Sequence, residues 1–255
     1  MNTLSFKLFQ GYIVNKVIGL IPARSGSKRV LNKNIKKIGE HPLIAYSIHS
    51  ALESELFDEV IVSTDSDEIA NIAIQYGATV PELRPNQFSQ FNSPDFDWVN
   101  LAINNWLQLR EDDIFAILRP TNPLRTAKTI IAAYHLFEQN HCDSLRAIRP
   151  VKEHPGKMWR RSDQNLITPY SPGLLSSIGV ASHSSPLQTL ETLWVQDASL
   201  EIGWVRTVRK SGTISGEKVF GFEMPGVEGF DLNYESDFEY LDYLIAKKKI
   251  NLPKF

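Results

Sequence analysis

The chain has 255 residues, 42% hydrophobic and 22% charged, with a formal charge of −2 at pH 7. This suits one α/β domain, or one domain with a sizeable insertion, and excludes wholesale disorder. Near-neutral charge argues against a general nucleic-acid-binding surface, and no apolar run approaches the ~20 residues that span a bilayer, so neither nucleic acid nor membrane is expected as a partner.

The lone Cys142 allows no internal disulfide, and the six histidines lack the paired spacing of a zinc site. Cys142 itself reads as a structural thiol. Residues 1–16 have a broken apolar pattern, interrupted by Lys7 and Gln10, and read as a surface extension rather than a signal peptide. A cytoplasmic protein is expected.

Val17 to Pro22 is apolar or small and reads as a buried strand that stops at proline. The loop that follows combines Ala, Ser and Gly with cations at Arg24, Lys28, Arg29 and Lys33. Small residues let backbone N–H groups approach an anion closely, so a polyphosphate is the natural guest. Read alone, this stretch serves equally well as a solvated basic loop. Pro42–Leu52 has helical spacing, Glu59–Thr64 is a strand, and Asp65-Ser-Asp67 leads into a helix over Glu68–Tyr76 closed by Gly77. This rhythm predicts a mostly parallel, mixed sheet covered by helices.

Pro81–Pro94 reads as a long loop, Asp95–Leu109 as a helix and Ile114–Leu118 as a strand ending in Arg119-Pro-Thr-Asn-Pro-Leu-Arg125. Thr126–Asn140 is helical and Ser144–Ile148 a strand. From about 150 to 186 proline, glycine, serine and basic residues dominate, and the segment reads as an irregular arm rather than a separate domain. Leu193–Gln196 is expected to be a strand, Ala198–Arg209 a helix, Lys218–Phe222 a strand and Glu235–Lys249 the last helix.

In parallel α/β sheets ligands sit beyond the carboxyl ends of the strands. Basic clusters at Arg24–Asn34 and Arg119–Arg125, with acidic ones at Thr64–Asp67 and Asp231, fall there. Cations for phosphates and carboxylates for a metal suit phosphoryl or nucleotidyl transfer. There is no GxxxxGK[ST], no GxGxxG after the first strand and no GxSxG. Asp65 and Asp67 imitate the Asp-x-Asp metal motif of glycosyltransferases, although helix capping is preferred for Asp67.

Ile21-Pro-Ala-Arg-Ser-Gly-Ser-Lys-Arg29 with Lys33-Asn34 resembles the N-terminal motif of the acylneuraminate (CMP-sialic acid synthetase) cytidylyltransferases. Ile61–Asp65, Leu83-Arg-Pro85, Leu118–Arg125, His154-Pro-Gly-Lys157 and Phe230-Asp-Leu-Asn233 resemble that family's later motifs in order. The resemblance covers Lys16 to about Leu244. It implies a three-layer α/β sheet of the nucleotide-diphospho-sugar transferase type, one domain over residues 17–249, and a homodimer with the excursion at about 150–200 at its interface.

The implied reaction is CTP plus an acidic 2-keto sugar giving CMP-sugar and pyrophosphate, with Mg²⁺. Catalytic roles are implied for Arg24, Lys33 and Asp231, and nucleotide binding for Ala23, Arg24, Ser25, Gly26, Asn34, Arg84, Ser93 and Asp95. The acidic sugar is assigned to Arg119, Arg125 and Lys157, and the metal to Asp231 and Asn233. For Arg125 a salt bridge beside the helix it precedes stands level with a ligand role, and Lys157 reads alternatively as a solvated lysine. The family commonly has Gln and Ser where this chain has Arg119 and Asn122, and Asp where it has Asn233. A 3-deoxy-octulosonate-type sugar, a glycosyltransferase of related fold and a non-catalytic nucleotide-binding module are the alternatives.

Overall fold

The structure is a computed structural model that describes residues 15–255. Most of the expected N-terminal extension therefore lies outside the described residues. The chain runs β1 (Val17–Pro22), β2 (Lys37–Ile38), β3 (His41–Pro42), α1 (Leu43–Glu53), β4 (Glu59–Ser63), α2 (Asp67–Gln75), α3 (Asp95–Leu101), β5 (Ile114–Leu118) and α4 (Ala127–Gln139). It continues through β6 (Ser144–Pro150), β7 (Trp159–Arg161), β8 (Ile167–Pro169), β9 (Trp194–Trp204), α5 (Val205–Ser211), β10 (Val219–Glu223) and α6 (Glu235–Ala246).

Six strands form one sheet in the order β10-β6-β9-β5-β1-β4. β1 is parallel to both β4 and β5, while β9 is antiparallel to β5, with Ile117 opposite Glu201 and Leu118 opposite Leu200. Strand alternation explains the layers. Ile21, Val62, Ala116 and Leu118 face a cluster completed by Ile44 and Ile48 of α1, Ile69 of α2, and Ile130 and Phe137 of α4. Ile18, Leu20, Ile61, Phe115 and Ile117 face Trp98, Val99 and Val205 from α3 and α5. The three parallel strands are thus apolar on both faces, as strands covered by helices must be. A third cluster joins Phe238 and Leu241 of α6 to Val30, Leu43, Leu124 and Leu232.

Two expectations are corrected. The predicted helix Ala198–Arg209 is mostly strand, because β9 runs on to Trp204 and α5 covers only Val205–Ser211. Ala198, Ile202 and Val205 have helical spacing, but Leu200 and Ile202 share one face of a strand, and β5 supplies the ladder partner that short-range spacing does not show. The predicted helix Asp95–Leu109 ends early: α3 passes into a π-turn over Ala102–Trp106, where Leu107 N–H bonds the Ala102 carbonyl.

The described residues divide into two compact units, 15–147 with Asp197–Phe255, and Ile148–Gln196. The smaller unit carries β7, β8 and short 3₁₀ turns, with His154 Nε2 donating to the Glu191 carbonyl (3.0 Å) and Ser176 N–H bonding Val180 O. No helix among the described residues is long and apolar enough to cross a membrane.

Candidate active site

β1, β4 and β5 end together at one edge of the sheet, and the loops leaving them build a cleft of about 410 Å³. Its lining brings together Arg24, Lys33, Asn34, Arg84, Ser93, Asp95, Arg119, Asp231 and Asn233 of the expected site. Lys28, Arg29, Gln90, Phe91, Trp98 and Thr121 are also there. Six cationic side chains line it against two carboxylates, Asp95 and Asp231, an excess suited to a polyphosphate.

The loop after β1 is held by its neighbours. Ala23 N–H continues the ladder to Ser63 O (2.9 Å), and Ser25 donates through N–H and Oγ to the two oxygens of Asp65 (2.7 and 3.0 Å). Asp65 is therefore engaged in holding this loop; Ser66 caps α2, and Asp67 lies in its first turn. The Asp-x-Asp metal reading loses its first ligand in this way. Ala23, Ser25 and Gly26 are not among the lining side chains; they shape the turn from which Arg24 enters the cleft. Lys28 and Arg29 lie against the rings of Phe91 (4.5 Å) and Tyr234 (5.3 Å) at the cleft's mouth.

Asn32 takes a left-handed backbone (φ 49°), a conformation that asparagine tolerates, and starts the 3₁₀ turn Lys33–Ile35. Asn34, buried, donates to the Arg24 carbonyl (3.0 Å) and so fixes the loop as well as lining the cleft. Lys33 Nζ donates to Leu232 O (3.1 Å). Burial, and more weakly the charges of Arg29 and Arg24, push the Lys33 pKa below the ordinary lysine value, while Asp231 works against that shift.

Asp231 is presented by an extended segment that the preceding loop grips. Leu232 N–H bonds Thr121 O (2.9 Å), and buried Asn122 donates to Phe230 O (3.2 Å). Asn233 Nδ2 donates to Asp231 Oδ2 (2.5 Å), and the other Asp231 oxygen is buried without a hydrogen-bond partner. A buried, unpartnered carboxylate oxygen beside an amide oxygen fits a hard cation such as Mg²⁺, which takes one or two protein carboxylates and fills its remaining positions with water and phosphate. No cluster of three or more His, Cys, Asp or Glu side chains placed for a metal occurs among the described residues.

On the other wall Arg84 is buried, donating to Ser63 Oγ (2.9 Å) and Ser63 O (2.7 Å) and lying 5.0 Å from the Trp98 ring centroid. Burial brings its pKa down to about 10, against the pull of Asp65 and Asp95. Ser93 closes a local turn, accepting from Gln90 N–H (3.1 Å) and donating to Gln87 O (3.0 Å). Asp95, in the first turn of α3, accepts from Trp98 Nε1 (2.8 Å) and from Arg119 Nη2 (2.6 Å). Burial opposes its ionisation, but Arg119 and these hydrogen bonds outweigh burial and keep its pKa below the usual carboxylate value.

Two of the residues expected to meet the sugar are not among the cleft's lining. Arg125 is 0% exposed and absent from the cleft lining. Its guanidinium donates to the carbonyls of Ser199 and Arg119 and to Ser47 Oγ (2.8 Å), so it fastens the β5–α4 loop to β9 and α1. Neither a ligand role nor the surface salt bridge describes it. Lys157 belongs to the Ile148–Gln196 unit, where its ammonium donates to the carbonyls of His183 (3.2 Å) and Ser185.

The sequence reading missed Glu201, which is buried in β9 and accepts from Arg119 (2.9 Å). The available signal was an acid between Leu200 and Ile202. In a strand covered on both faces, such an acid needs a cationic partner. Trp204 packs on Phe137 (ring centroids 5.0 Å apart) and Phe222 on the core, whereas Trp194 is exposed. Cys142 is half-buried, its thiol pKa raised by burial.

The family model described as Cytidylyltransferase matches residues 18–151, the segment that supplies most of this cleft. The CMP-N,N'-diacetyllegionaminic acid synthase of Legionella pneumophila is 32% identical over 179 residues, covering 69% of this chain and 75% of that protein. The pseudaminic acid cytidylyltransferase of Campylobacter jejuni is 37% identical over 137 residues, 52% of this chain and 57% of that one. A solved CMP:2-keto-3-deoxy-manno-octonic acid synthetase complexed with CTP superimposes with a TM-score of 0.62 at 14% identity, over 92% of this chain and 100% of that one, and so shares the fold. With just over half of its length matched by one family model and a relative above 30% identity across two thirds of it, this chain belongs to the cytidylyltransferase family.

Proposed function

We propose that this protein transfers the cytidylyl group of CTP to an acidic 2-keto sugar of the nonulosonate type, releasing pyrophosphate. The observation that carries the reading is the strand-end cleft, with its excess of cations built on the segment that the cytidylyltransferase model matches. The legionaminic and pseudaminic relatives support the sugar class, and the shared fold of the CTP-bound octonic acid synthetase supports the cytidine nucleotide. A sugar hydroxyl oxygen forms a bond to the α-phosphorus and gives up its proton to water, while the bond from that phosphorus to the pyrophosphate oxygen breaks. Catalysis is then chiefly positioning and charge neutralisation.

Arg24 and the Ser25–Gly26 turn would cradle the triphosphate, and Lys33 would balance the leaving pyrophosphate. Arg84, Ser93 and Asn34 would shape the nucleoside side. Asp231 with Asn233 would hold Mg²⁺, which when bound offsets charge on the phosphate oxygens. The reading places the enzyme in the cytoplasm, where CTP is made. It also makes the enzyme a homodimer, for which Trp159, Ile167, Leu175, Ile178 and Trp194, exposed on the Ile148–Gln196 unit, supply apolar surface.

The test is purified protein with CTP, Mg²⁺ and a panel of N,N'-diacetyllegionaminic, pseudaminic, N-acetylneuraminic and 2-keto-3-deoxy-manno-octonic acids, following pyrophosphate and CMP-sugar. Turnover on at least one sugar, abolished by EDTA, is expected. CTP binding with no turnover on any sugar overturns the reading. Asp231→Ala is expected to lower turnover by orders of magnitude with an unchanged circular dichroism spectrum; full activity there would move the metal site elsewhere.

A further inference from the structure

Arg119 stands at the end of β5 inside the cleft, where an arginine facing an acidic substrate would be expected to present a pair of free donors. It does not. Nη2 donates to Asp95 Oδ2 (2.6 Å) and to Glu201 Oε1 (2.9 Å), Nη1 donates to Asp95 Oδ1 (3.4 Å), and Nε is buried without a partner. Glu201, its side chain 5% exposed, has its second oxygen 2.8 Å from Nη1 of Arg146 in β6. Arg146 Nη2 in turn bonds Ser215 Oγ (2.5 Å). Two arginines and two carboxylates alternate along this line, so it carries no net charge.

The line has a direction. At its far end Asp95 holds the indole N–H of Trp98, and the Trp98 ring carries the Arg84 guanidinium. A displacement of Arg119 therefore passes to the Asp95–Trp98–Arg84 wall. A buried charge whose partner is removed seeks a new one, and the arrangement responds as a unit.

We propose that Glu201 and Arg119 form a positioning pair that sets the nucleotide wall of the cleft, and that Arg119 is not the ligand of the sugar's carboxylate. The proposal rests on the nucleotidyl-transfer reading for its substrates. Glu201→Gln leaves Arg119 and Arg146 competing for one amide oxygen, and Arg119 shifts onto Asp95. CTP affinity then falls about tenfold, within the range of coupled neighbours, while the sugar KM stays within about twofold. Arg119→Gln leaves Glu201 still paired to Arg146 and produces the same split. In the double variant the two amides satisfy each other while Asp95 and Arg146 each give up a charged partner, and the loss of CTP affinity stays well short of the product of the two single losses.

The experiment is calorimetric CTP titration of the wild type, the two single variants and the double variant, with the sugar KM measured on the best substrate of the panel. A less-than-additive loss in the double variant, with the sugar KM unmoved, is the expected result. A tenfold rise in sugar KM for Arg119→Gln with CTP affinity unchanged overturns the proposal, as does strict additivity. If Glu201→Gln does not fold, Arg119→Gln alone still decides between CTP and sugar. If the wild type binds CTP but turns over no sugar, the transfer reading falls while the coupling is still read from CTP binding.

Discussion

Replacing Arg125 by Met separates a structural arginine from a substrate ligand. The guanidinium is 0% exposed and donates to two backbone carbonyls, Ser199 and Arg119, and to Ser47 Oγ. A hydrogen bond from a charged donor contributes about 1.5–3 kcal/mol. Met fills most of the volume but leaves the Ser199 carbonyl without this donor, while the Arg119 carbonyl keeps Ser47 Oγ (3.0 Å). Removing a buried cation also relieves several kcal/mol of desolvation cost, which cancels part of the loss. The expected net destabilisation is about 2–4 kcal/mol.

For a protein of this size each kcal/mol lowers Tm by about 2–4 °C, so a fall of roughly 4–16 °C is expected by scanning calorimetry. Activity just below the new Tm should fall with the folded fraction, and the sugar KM measured well below it should stay within about twofold. A Tm within 2 °C of the wild type together with a tenfold rise in sugar KM would refute the buried-tie argument and return Arg125 to the substrate.

Asn122→Ala removes the donor to the Phe230 carbonyl (3.2 Å) while leaving the Leu232–Thr121 bond in place. Loss of a buried bond worth about 1–3 kcal/mol should loosen Asp231 and lower kcat/KM by roughly 5–150-fold. Steady-state kinetics unchanged to within twofold would show that Asn122 does not hold that segment. Asp113, buried ahead of β5, accepts from the N–H groups of Lys16 (2.9 Å) and Arg110 (2.7 Å) and from Arg110 Nη2 (2.8 Å). Burial opposes its ionisation, but these donors outweigh it and hold its pKa below the usual carboxylate value. Its contribution to stability is therefore present above about pH 4 and lost as pH falls through the folded value. Asp113→Asn should lower Tm more at pH 7 than at pH 3; an equal loss at both would show that the carboxylate's charge does not matter.

The parallel strands and the starts of the first four helices were legible because their signals are local. β1, β4 and β5 are short apolar runs bounded by Pro22, Asp65 and Arg119, and α4 is announced by Thr126, whose Oγ1 accepts from Thr129 N–H. The basic loop was legible as chemistry for the same reason: cations interleaved with Ser and Gly need no distant partner to be recognised. β9 was not legible, since its spacing also fits a helix until β5 is placed beside it.

The amino-acid order by itself therefore determined the strand–helix rhythm, the basic character of the loop after β1 and the set of polar clusters at strand ends. It could not assign partners. Arg119 and Arg125 stand six residues apart in one basic motif, yet one enters the cleft between Asp95 and Glu201 and the other is sealed against Ser47 and Ser199. Charge and type are properties of a residue, whereas burial and pairing depend on which strand lies alongside. That contact is made between residues 82 apart in the chain, as for Arg119 and Glu201, and only the folded sheet brings them together.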